Sequence, residues 1–284
     1  MLDIDINLDL QAFFTKLRGS PQSALLLDYD GTLSPFQMDR NEAFPYPGVS
    51  RLVTEIMNTG RTRVVVTTGR RAHEVVTLLG VEPHPEIWGV HGLQRLRPDG
   101  SCEMPLLDEI STQALAEADS WLDSLGLHPL AEHKPGSLAV HWRERSADER
   151  SDIRKIVSLG WLPVAHRACM VLQEFDGGME IRMPDRNKGD AVRTILAELD
   201  PGTPVAYLGD DETDEDAFRA LSDYGLRVLV RPDCRESAAD VWLKPPAGLQ
   251  EFLCNWLEAC RTAELPPLPT GYVRARTNLS RAIR

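Results

Sequence analysis

Two aspartates one residue apart, Asp28 and Asp30, follow directly after a run of apolar residues at 24–27. Such a run is typical of a strand buried on both faces of a parallel sheet, and open α/β sheets bind ligands at the carboxyl ends of their strands. One carboxylate there can attack phosphorus, while the other moves the proton that the leaving oxygen needs. Gly31 and Thr32 then allow the chain to turn sharply. The loop therefore offers a nucleophile and an acid/base partner together.

Polar residues also end two further strand-like runs of the chain. Thr68 follows one of these runs, and Asp210 follows the other. Because the carboxyl ends of neighbouring parallel strands lie at one edge of a sheet, we expect Thr68 and Asp210 to lie beside Asp28 and Asp30.

Several carboxylates at one point repel one another and would also repel a phosphate dianion, so such a site needs cations. Carboxylate oxygens with room for water suit Mg²⁺. Lys188, at the start of a predicted helix, can add a fixed positive charge, and the Thr68 hydroxyl and Gly69 amide can donate to phosphate oxygens. These residue types together predict a site that stabilises a transferring phosphoryl group.

The elements that must position these residues change in type along the chain. From 24 to 90 the pattern is strand, helix, strand, helix, strand, which is typical of a parallel sheet. From about 107 to 183 it changes to helices and strand-like pairs, and the Asp176-Gly177-Gly178 turn predicts a hairpin. A capping box at Ser146 predicts a helix to about Leu159. The parallel pattern then returns.

We therefore predict an α/β fold with a Rossmann-like parallel-sheet core and an inserted α+β domain. The expected limits are 1–103 and 185–261 for the core and 104–184 for the insertion. The Pro-rich and then basic segment 262–284 is expected to be a flexible C-terminal tail.

Four short motifs, in this order along the chain, resemble those of the haloacid dehalogenase phosphatase superfamily, and the resemblance covers about 24–253. They are Asp28-Tyr29-Asp30-Gly31-Thr32, Thr68 after a strand, Lys188 before a helix, and Gly209-Asp210-Asp211 after another strand. The resemblance implies that Asp28 forms an aspartyl-phosphate and that Asp30 is the general acid and base. It also implies that Asp28, the backbone carbonyl of Asp30, and Asp210 hold Mg²⁺, with Asp211 and Asp214 supporting or joining them.

The spacing of these motifs locates the inserted domain. About forty residues separate Asp28 from Thr68, whereas about one hundred and twenty separate Thr68 from Lys188, so a cap domain fits only in the second gap. This placement resembles that of the sugar-phosphate phosphatases. The superfamily resemblance implies that Thr68, Gly69 and Lys188 bind the phosphate.

Within that group, the segments 209–218 and 134–143 are similar to those of the trehalose-6-phosphate phosphatase family. Where that family usually has Ser-Gly-Arg, this chain has Thr68-Gly69-Arg70, which keeps the hydroxyl. The similarity implies a small-molecule sugar phosphate, trehalose 6-phosphate, as substrate. It further implies that four residues bind the substrate: Arg70, Glu132, Lys134 and Glu180.

The predicted strands of the insertion support a carbohydrate pocket, because each has one polar face. These faces carry Glu132 with Lys134, His141 with Arg143, and Glu180 with Arg182. Paired acidic and basic side chains can bind sugar hydroxyls, although any solvent-facing sheet surface shows the same alternation.

Three alternatives stay open at this point. The chain could be a phosphatase for another sugar phosphate, of the sucrose phosphate or mannosyl-phosphoglycerate type. It could be a phosphomutase of the same superfamily, or a non-catalytic sugar-phosphate sensor. The retained pair Asp28 and Asp30 argues against the sensor.

The composition of the 284-residue chain limits its partners and location. Its formal net charge of −12 disfavours nucleic acid and anionic membranes as partners. No segment approaches the roughly 20 apolar residues of a membrane-spanning helix. The N-terminus has no signal-peptide pattern, and the five cysteines are odd in number and lack CxxC spacing, so we expect reduced thiols and a cytoplasmic location.

Overall fold

A computed structural model describes residues 6–37, 39–104, 107–183 and 187–261 of the chain. It contains an eight-stranded sheet covered by helices on both faces and a separate four-stranded sheet. The expected α/β fold with a Rossmann-like core and an α+β cap is confirmed. The tail predicted at 262–284 lies outside the described residues.

The large sheet is mostly parallel. Its strands, in chain order, are β1 (Ser23–Asp28), β2 (Thr62–Thr67), β3 (Glu86–Gly89), β4 (Gln94–Leu96), β5 (Cys102–Glu103), β10 (Val205–Gly209), β11 (Leu226–Val230) and β12 (Val241–Leu243). The spatial order is β12-β11-β10-β1-β2-β3-β4-β5, and only β4 and β5 pair antiparallel. Strand β1 therefore lies between β10 and β2, as the motif argument requires.

Alternation along β1 explains why both faces of this sheet are covered. Leu25 and Leu27 pack into one apolar cluster, whereas Ala24 and Leu26 pack into another on the opposite face. The first cluster includes residues of α2 (Val49–Asn58), α3 (Ala72–Leu79) and α8 (Ala247–Arg261). Helix α1 (Ile6–Gly19) packs against α8. The second cluster includes residues of α6 (Lys188–Ala197) and α7 (Glu215–Leu221). A strand buried on both sides in this way is fixed in its register.

The second sheet forms the cap. Its strands β6 (Ala131–Lys134), β7 (Ser137–His141), β8 (Val171–Phe175) and β9 (Gly178–Arg182) pair antiparallel in the order β6-β7-β9-β8. Helices α4 (Glu109–Ser124) and α5 (Ala147–Arg167) cover one face through a core that includes Val140, Trp161 and Ile181. The other face carries the polar residues.

Two features differ from the sequence-based expectation. Helix α5 begins at the predicted capping box of Ser146 but runs to Arg167 instead of about Leu159, because Trp161 and Val164 are buried in the cap core beyond that point. Gly160 also lets the Trp121 ring approach closely, since a Cβ there would collide with it. Packing of this kind overrides the weak helix propensity of Gly160 and Pro163, which both lie within α5. The two short strands β4 and β5 were not anticipated.

Among the described helices, none combines the length and the apolar character that crossing a membrane requires.

Candidate active site

A cavity of about 720 Å³ lies between the carboxyl edge of the core sheet and the polar face of the cap sheet. Most of the predicted site residues line it; Thr68 and Asp214 do not. The core contributes Asp28, Asp30, Gly69, Arg70, Lys188 and Asp210, and the cap contributes Glu132, Lys134 and Glu180. The structure thus brings together residues that lie up to 182 positions apart in the sequence, between Asp28 and Asp210.

The sheet register places the carboxylates of Asp28 and Asp210 side by side. Leu27 pairs with Leu208 in the neighbouring strand, and each aspartate follows shortly after this pair. Gly31 completes the arrangement, because its φ of 88° is in the left-handed region and a Cβ at this position would collide with the Asp210 carboxylate. The glycine of the first motif therefore serves the turn and the close approach of Asp210.

Lys188 is positioned by the start of α6. Asn187 caps this helix and forms a reciprocal capping box with Asp190, which fixes where the first helical residue lies. The buried Nζ of Lys188 lies 2.6 Å from Asp28 Oδ1 and 2.8 Å from Asp214 Oδ1. Burial alone would lower the pKa of Lys188, but the carboxylates of Asp214 and Asp28 raise it well above its ordinary value. The ammonium group is therefore charged.

Asp214 organises the loop after β10. Its Oδ1 accepts from the Tyr207 hydroxyl at 2.6 Å as well as from Lys188, and its Oδ2 accepts from the backbone N–H groups of Asp210 and Asp211 at 3.1 and 3.0 Å. Both oxygens are thus occupied by protein donors. Asp214 was expected to support or to join the metal ligands; these contacts suit the supporting role, and the assignment stays a prediction.

A cation fits between Asp28 and Asp210. Among the described residues, the buried side-chain oxygens without a hydrogen-bond partner include Asp28 Oδ2 and both carboxylate oxygens of Asp210. One carboxylate oxygen from each of Asp28, Asp210 and Asp214 lies within 4.8 Å of the other two. Orphaned buried carboxylate oxygens are costly, and an oxygen-ligated divalent cation would satisfy them.

The pKa values of these groups show the same need for positive charge. Burial raises the pKa of Asp28 to about 7, with Lys188 opposing the shift and Asp214 adding to it. Burial and the neighbouring Asp28 and Asp214 raise the pKa of Asp210 well above its ordinary value. A divalent cation would offset both causes by solvating the oxygens and compensating the charge.

A second group of metal-ligating side chains lies on the cap outside the cavity. It comprises Asp119, His128 and His133. Both histidines are exposed, and His133 Nε2 is already hydrogen-bonded to Asp119 Oδ1 at 2.9 Å. The carboxylates in the cavity therefore form the better candidate metal site.

Among the described residues, the Asp30 side chain forms no hydrogen bond with Asp28 or Lys188. Instead, Arg70 donates to it with two nitrogens, Nε to Oδ2 at 2.7 Å and Nη2 to Oδ1 at 2.6 Å. Arg70 is almost fully buried, and the hydrogen bonds to Asp30 outweigh burial and raise the pKa of the guanidinium. Arg70 was expected to bind the substrate, and this stays a prediction; in this structure its guanidinium binds Asp30, the predicted acid/base residue.

Thr68 and Gly69 lie where β2 ends. The Thr68 hydroxyl oxygen accepts from the backbone N–H of Arg70 at 3.0 Å, which leaves its proton free to donate. A Cβ on Gly69 would lie 2.7 Å from the ring of His91, so the glycine allows that ring to approach the loop. The predicted role of both residues in binding phosphate stays a prediction.

The cap residues form one charged network over the cavity. Glu180 Oε1 accepts from Ser137 Oγ at 2.8 Å and lies 3.3 Å from Lys134 Nζ. Glu132 Oε2 lies 2.7 Å from His141 Nε2 and 3.7 Å from Lys134 Nζ. Burial works against ionisation of both glutamates, but these neighbours lower the pKa of each well below its ordinary value. The cap face is therefore ionised and rich in donors and acceptors.

The sequence analysis gave no role to two residues that join the core to the cap. His91 Nε2 lies 3.2 Å from Glu180 Oε2, and Arg40 forms an ion pair with Glu132. Burial lowers the pKa of His91, with Glu180 opposing the shift. His91 follows strand β3 at the same sheet edge as the other site residues, and that position was an available signal. Arg40 lies in a Pro-rich connection that gives no such signal.

Comparison with known proteins agrees with this arrangement. A family model described as trehalose-phosphatase matches residues 26–241. Two curated relatives described as trehalose-phosphate phosphatases are 33% identical over 245 residues (Mycobacterium avium) and 30% identical over 257 residues (Mycobacterium tuberculosis). These stretches cover 81% and 86% of this chain and 60% and 63% of the relatives. The chain thus spans about three fifths of the length of the curated relatives it matches.

Solved structures show the same fold. The C-terminal domain of a Candida albicans trehalose-6-phosphate phosphatase has a TM-score of 0.72 at 17% identity, covering 88% of this chain and 96% of that one. An Aspergillus fumigatus trehalose-6-phosphate phosphatase has a TM-score of 0.63 at 22% identity, covering 89% and 97%. Since the family model matches most of the sequence, this chain belongs to the trehalose-phosphatase family.

Proposed function

We propose that this chain hydrolyses trehalose 6-phosphate to trehalose and inorganic phosphate in a Mg²⁺-dependent reaction. The observation that carries the proposal is the position of Asp28. One of its oxygens is bound to Lys188 and the other is buried without a protein partner, in a cavity roofed by the ionised cap residues. A phosphate bound here has a nucleophile on the core side and hydroxyl-binding groups on the cap side.

The reaction proceeds in two steps on this chain's own residues. A carboxylate oxygen of Asp28 attacks phosphorus, the bond from phosphorus to the sugar oxygen breaks, and Asp30 gives its proton to that oxygen. Asp30 then takes a proton from a water molecule that attacks the aspartyl-phosphate. The bond between phosphorus and Asp28 breaks, so that phosphate leaves and both carboxyl groups return to their initial states.

The Mg²⁺ ion would be held by Asp28 and Asp210. The resemblance implies that the backbone carbonyl of Asp30 also binds it. The bound ion would neutralise charge on the transferring phosphoryl group. Lys188 supplies a second, fixed positive charge 2.6 Å from Asp28, and the free proton of the Thr68 hydroxyl and the Gly69 amide can donate to phosphate oxygens.

Glu132, Lys134 and Glu180 would bind sugar hydroxyls. Their side chains face the cavity and combine ionised acceptors with an ammonium donor, which suits a polyhydroxylated and otherwise neutral ligand. The five free cysteines are consistent with a reducing compartment, and we propose a cytoplasmic location.

Phosphate release from a panel of sugar phosphates, with Mg²⁺ and with a chelator, tests the proposal. We expect metal-dependent release from trehalose 6-phosphate well above that from sucrose 6-phosphate, mannosyl-phosphoglycerate or glucose 6-phosphate. Preference for one of the others would keep the chemistry and overturn the assignment of the substrate. Isomerised sugar phosphate as product would indicate a phosphomutase, and binding without release would indicate a sensor.

A further inference from the structure

The ion pair between Arg40 of the core and Glu132 of the cap is connected through further contacts to Asp30, the proposed acid/base residue. Arg40 lies in a short 3₁₀ turn, Arg40–Glu42, in the connection between β1 and α2. Its guanidinium contacts Glu132 of the cap, and its backbone carbonyl accepts from Arg70 Nη1 at 2.6 Å. One residue thus contacts the cap with its side chain and Arg70 with its main chain.

Arg70 continues this connection to Asp30. It donates through Nη1 to Arg40, and through Nε and Nη2 to both carboxylate oxygens of Asp30. Since Arg70 is almost fully buried, a guanidinium bound on two sides has little freedom to turn. The contacts run without interruption from Glu132 through Arg40 and Arg70 to Asp30.

We propose that Arg40 and Arg70 are positioning residues that couple docking of the cap to the placement of Asp30. The proposal rests on the proposed function, in which Asp30 protonates the leaving sugar oxygen. When the cap is docked, Glu132 anchors Arg40, the Arg40 carbonyl anchors Arg70, and Arg70 fixes the Asp30 carboxyl group. When the cap leaves, the first of these anchors is lost. Proton transfer is therefore efficient only when the site is covered.

Geometry and chemistry both favour this coupling. Proton transfer requires the acid within hydrogen-bond reach of the leaving oxygen, and a displacement of about 1 Å can cost about 100-fold in rate. A sugar alkoxide is a poor leaving group and needs the proton, whereas p-nitrophenolate leaves without one. Misplacement of Asp30 must therefore slow a sugar phosphate far more than p-nitrophenyl phosphate.

The test measures release of the leaving group in a single turnover, with enzyme in excess and Mg²⁺ present, for trehalose 6-phosphate and for p-nitrophenyl phosphate. For Arg40→Gln we expect the rate with trehalose 6-phosphate to fall about 10-fold or more. The rate with p-nitrophenyl phosphate should fall less than about 3-fold. Arg40→Lys keeps the positive charge near Glu132 and should retain most of the rate with trehalose 6-phosphate.

Arg71→Gln is the matched control. Arg71 also joins core to cap, since its Nη2 donates to the His133 carbonyl at 2.7 Å, but it neither contacts Asp30 nor lines the cavity. We expect this variant to keep the wild-type ratio of the two rates. Circular dichroism and thermal unfolding verify that each variant is folded.

Three outcomes would overturn the inference while the proposed function stands: equal losses on both substrates, no loss on either, or the same selective loss in Arg71→Gln. A wild-type enzyme that does not cleave trehalose 6-phosphate would instead contradict the proposed function, and the inference with it. Combining Arg40→Gln with Arg70→Lys adds a further check. If the two residues act through one chain of contacts, the double variant should lose less rate with trehalose 6-phosphate than the product of the two single fold-losses. A fold-loss equal to that product would contradict the coupling.

Discussion

The ammonium nitrogen of Lys188 lies 2.6 Å from Asp28 and 2.8 Å from Asp214, and all three side chains are buried. One positive charge thus compensates two carboxylates, while Asp210 adds a third beside them. When all three carboxyl groups are ionised, the net charge of this buried cluster is negative. A phosphate group can enter such a site only with further positive charge, which a cation bound to the unpartnered oxygens of Asp28 and Asp210 would supply.

Replacing Lys188, whose ammonium group binds both Asp28 and Asp214, should lower both stability and turnover. In Lys188→Met two buried carboxylates lose their partner, and breaking a buried pair in this way typically costs about 3–5 kcal/mol. We expect a fall of that order in the free energy of unfolding, measured by urea denaturation, and at least a 100-fold fall in turnover. Arg193→Met, an exposed change on the same helix, should alter neither. Wild-type stability and rate in Lys188→Met would contradict this assignment.

Divalent metal should stabilise the folded protein through Asp210. A ligand at about 100 times its dissociation constant adds about 2.7 kcal/mol to the free energy of unfolding, so saturating Mg²⁺ should raise Tm. In Asp210→Asn this rise should be largely lost. Asp216→Asn, which changes a residue paired with Arg219 at the protein surface, should retain it. An equal rise in both variants would mean that Mg²⁺ binds elsewhere.

Removing the Tyr207 hydroxyl tests how much its hydrogen bond to Asp214 contributes to stability. Tyr207→Phe keeps the ring packed on Phe218 but removes the donor to Asp214 and the contact with Thr67 Oγ1. We expect a loss of about 1–3 kcal/mol of stability, because a hydrogen bond to a buried charged group is removed. Calorimetry on Tyr207→Phe and on the exposed control Tyr224→Phe measures this loss. Identical Tm values for the two would show that the hydroxyl contributes nothing.

Acid should weaken the core through Glu198, far from the cavity. Hydrogen bonds from Arg95 and Arg63 lower the pKa of Glu198 to about 2, from an ordinary value of 4.5. A carboxyl group with a lowered pKa stabilises the folded state above pH 4.5, and that contribution disappears as the pH falls from about 4.5 to about 2. Because the side chain is 37% exposed, solvent screens the interaction and we expect at most about 1 kcal/mol.

Glu198→Gln should therefore be less stable than wild type at pH 7, and the difference should shrink as the pH falls toward 3. Urea denaturation at both pH values measures the difference. A difference that stays constant with pH would assign the effect to packing instead of charge.

The catalytic edge of the core could be predicted because its signals are local. The run before Asp28 is apolar on both faces of β1, and Lys188 directly follows a helix cap, so each residue's place in its element follows from its neighbours. The second helix of the strand-helix alternation predicted over 24–90 is observed as α3, Ala72–Leu79, for the same reason.

The contacts between core and cap could not be predicted in this way. Arg40 and Glu132 lie 92 positions apart, and their ion pair exists only because the folded cap rests on the core. Likewise, the hydrogen bonds between Arg70 and Asp30 join residues 40 positions apart, and no pattern in the sequence predicts them. The extension of α5 to Arg167 depends on burial of Trp161 against the cap sheet, which also requires the assembled domain.

The most direct test of the account compares phosphate release from trehalose 6-phosphate by the wild-type chain and by Asp28→Asn, both with Mg²⁺ and both verified as folded. The two side chains have nearly the same shape, so the substitution removes the nucleophile while leaving the packing of β1 intact. We expect the wild type to release phosphate and Asp28→Asn to be at least about 1,000-fold slower. A wild type that releases none, or an Asp28→Asn variant that matches it, would contradict the account.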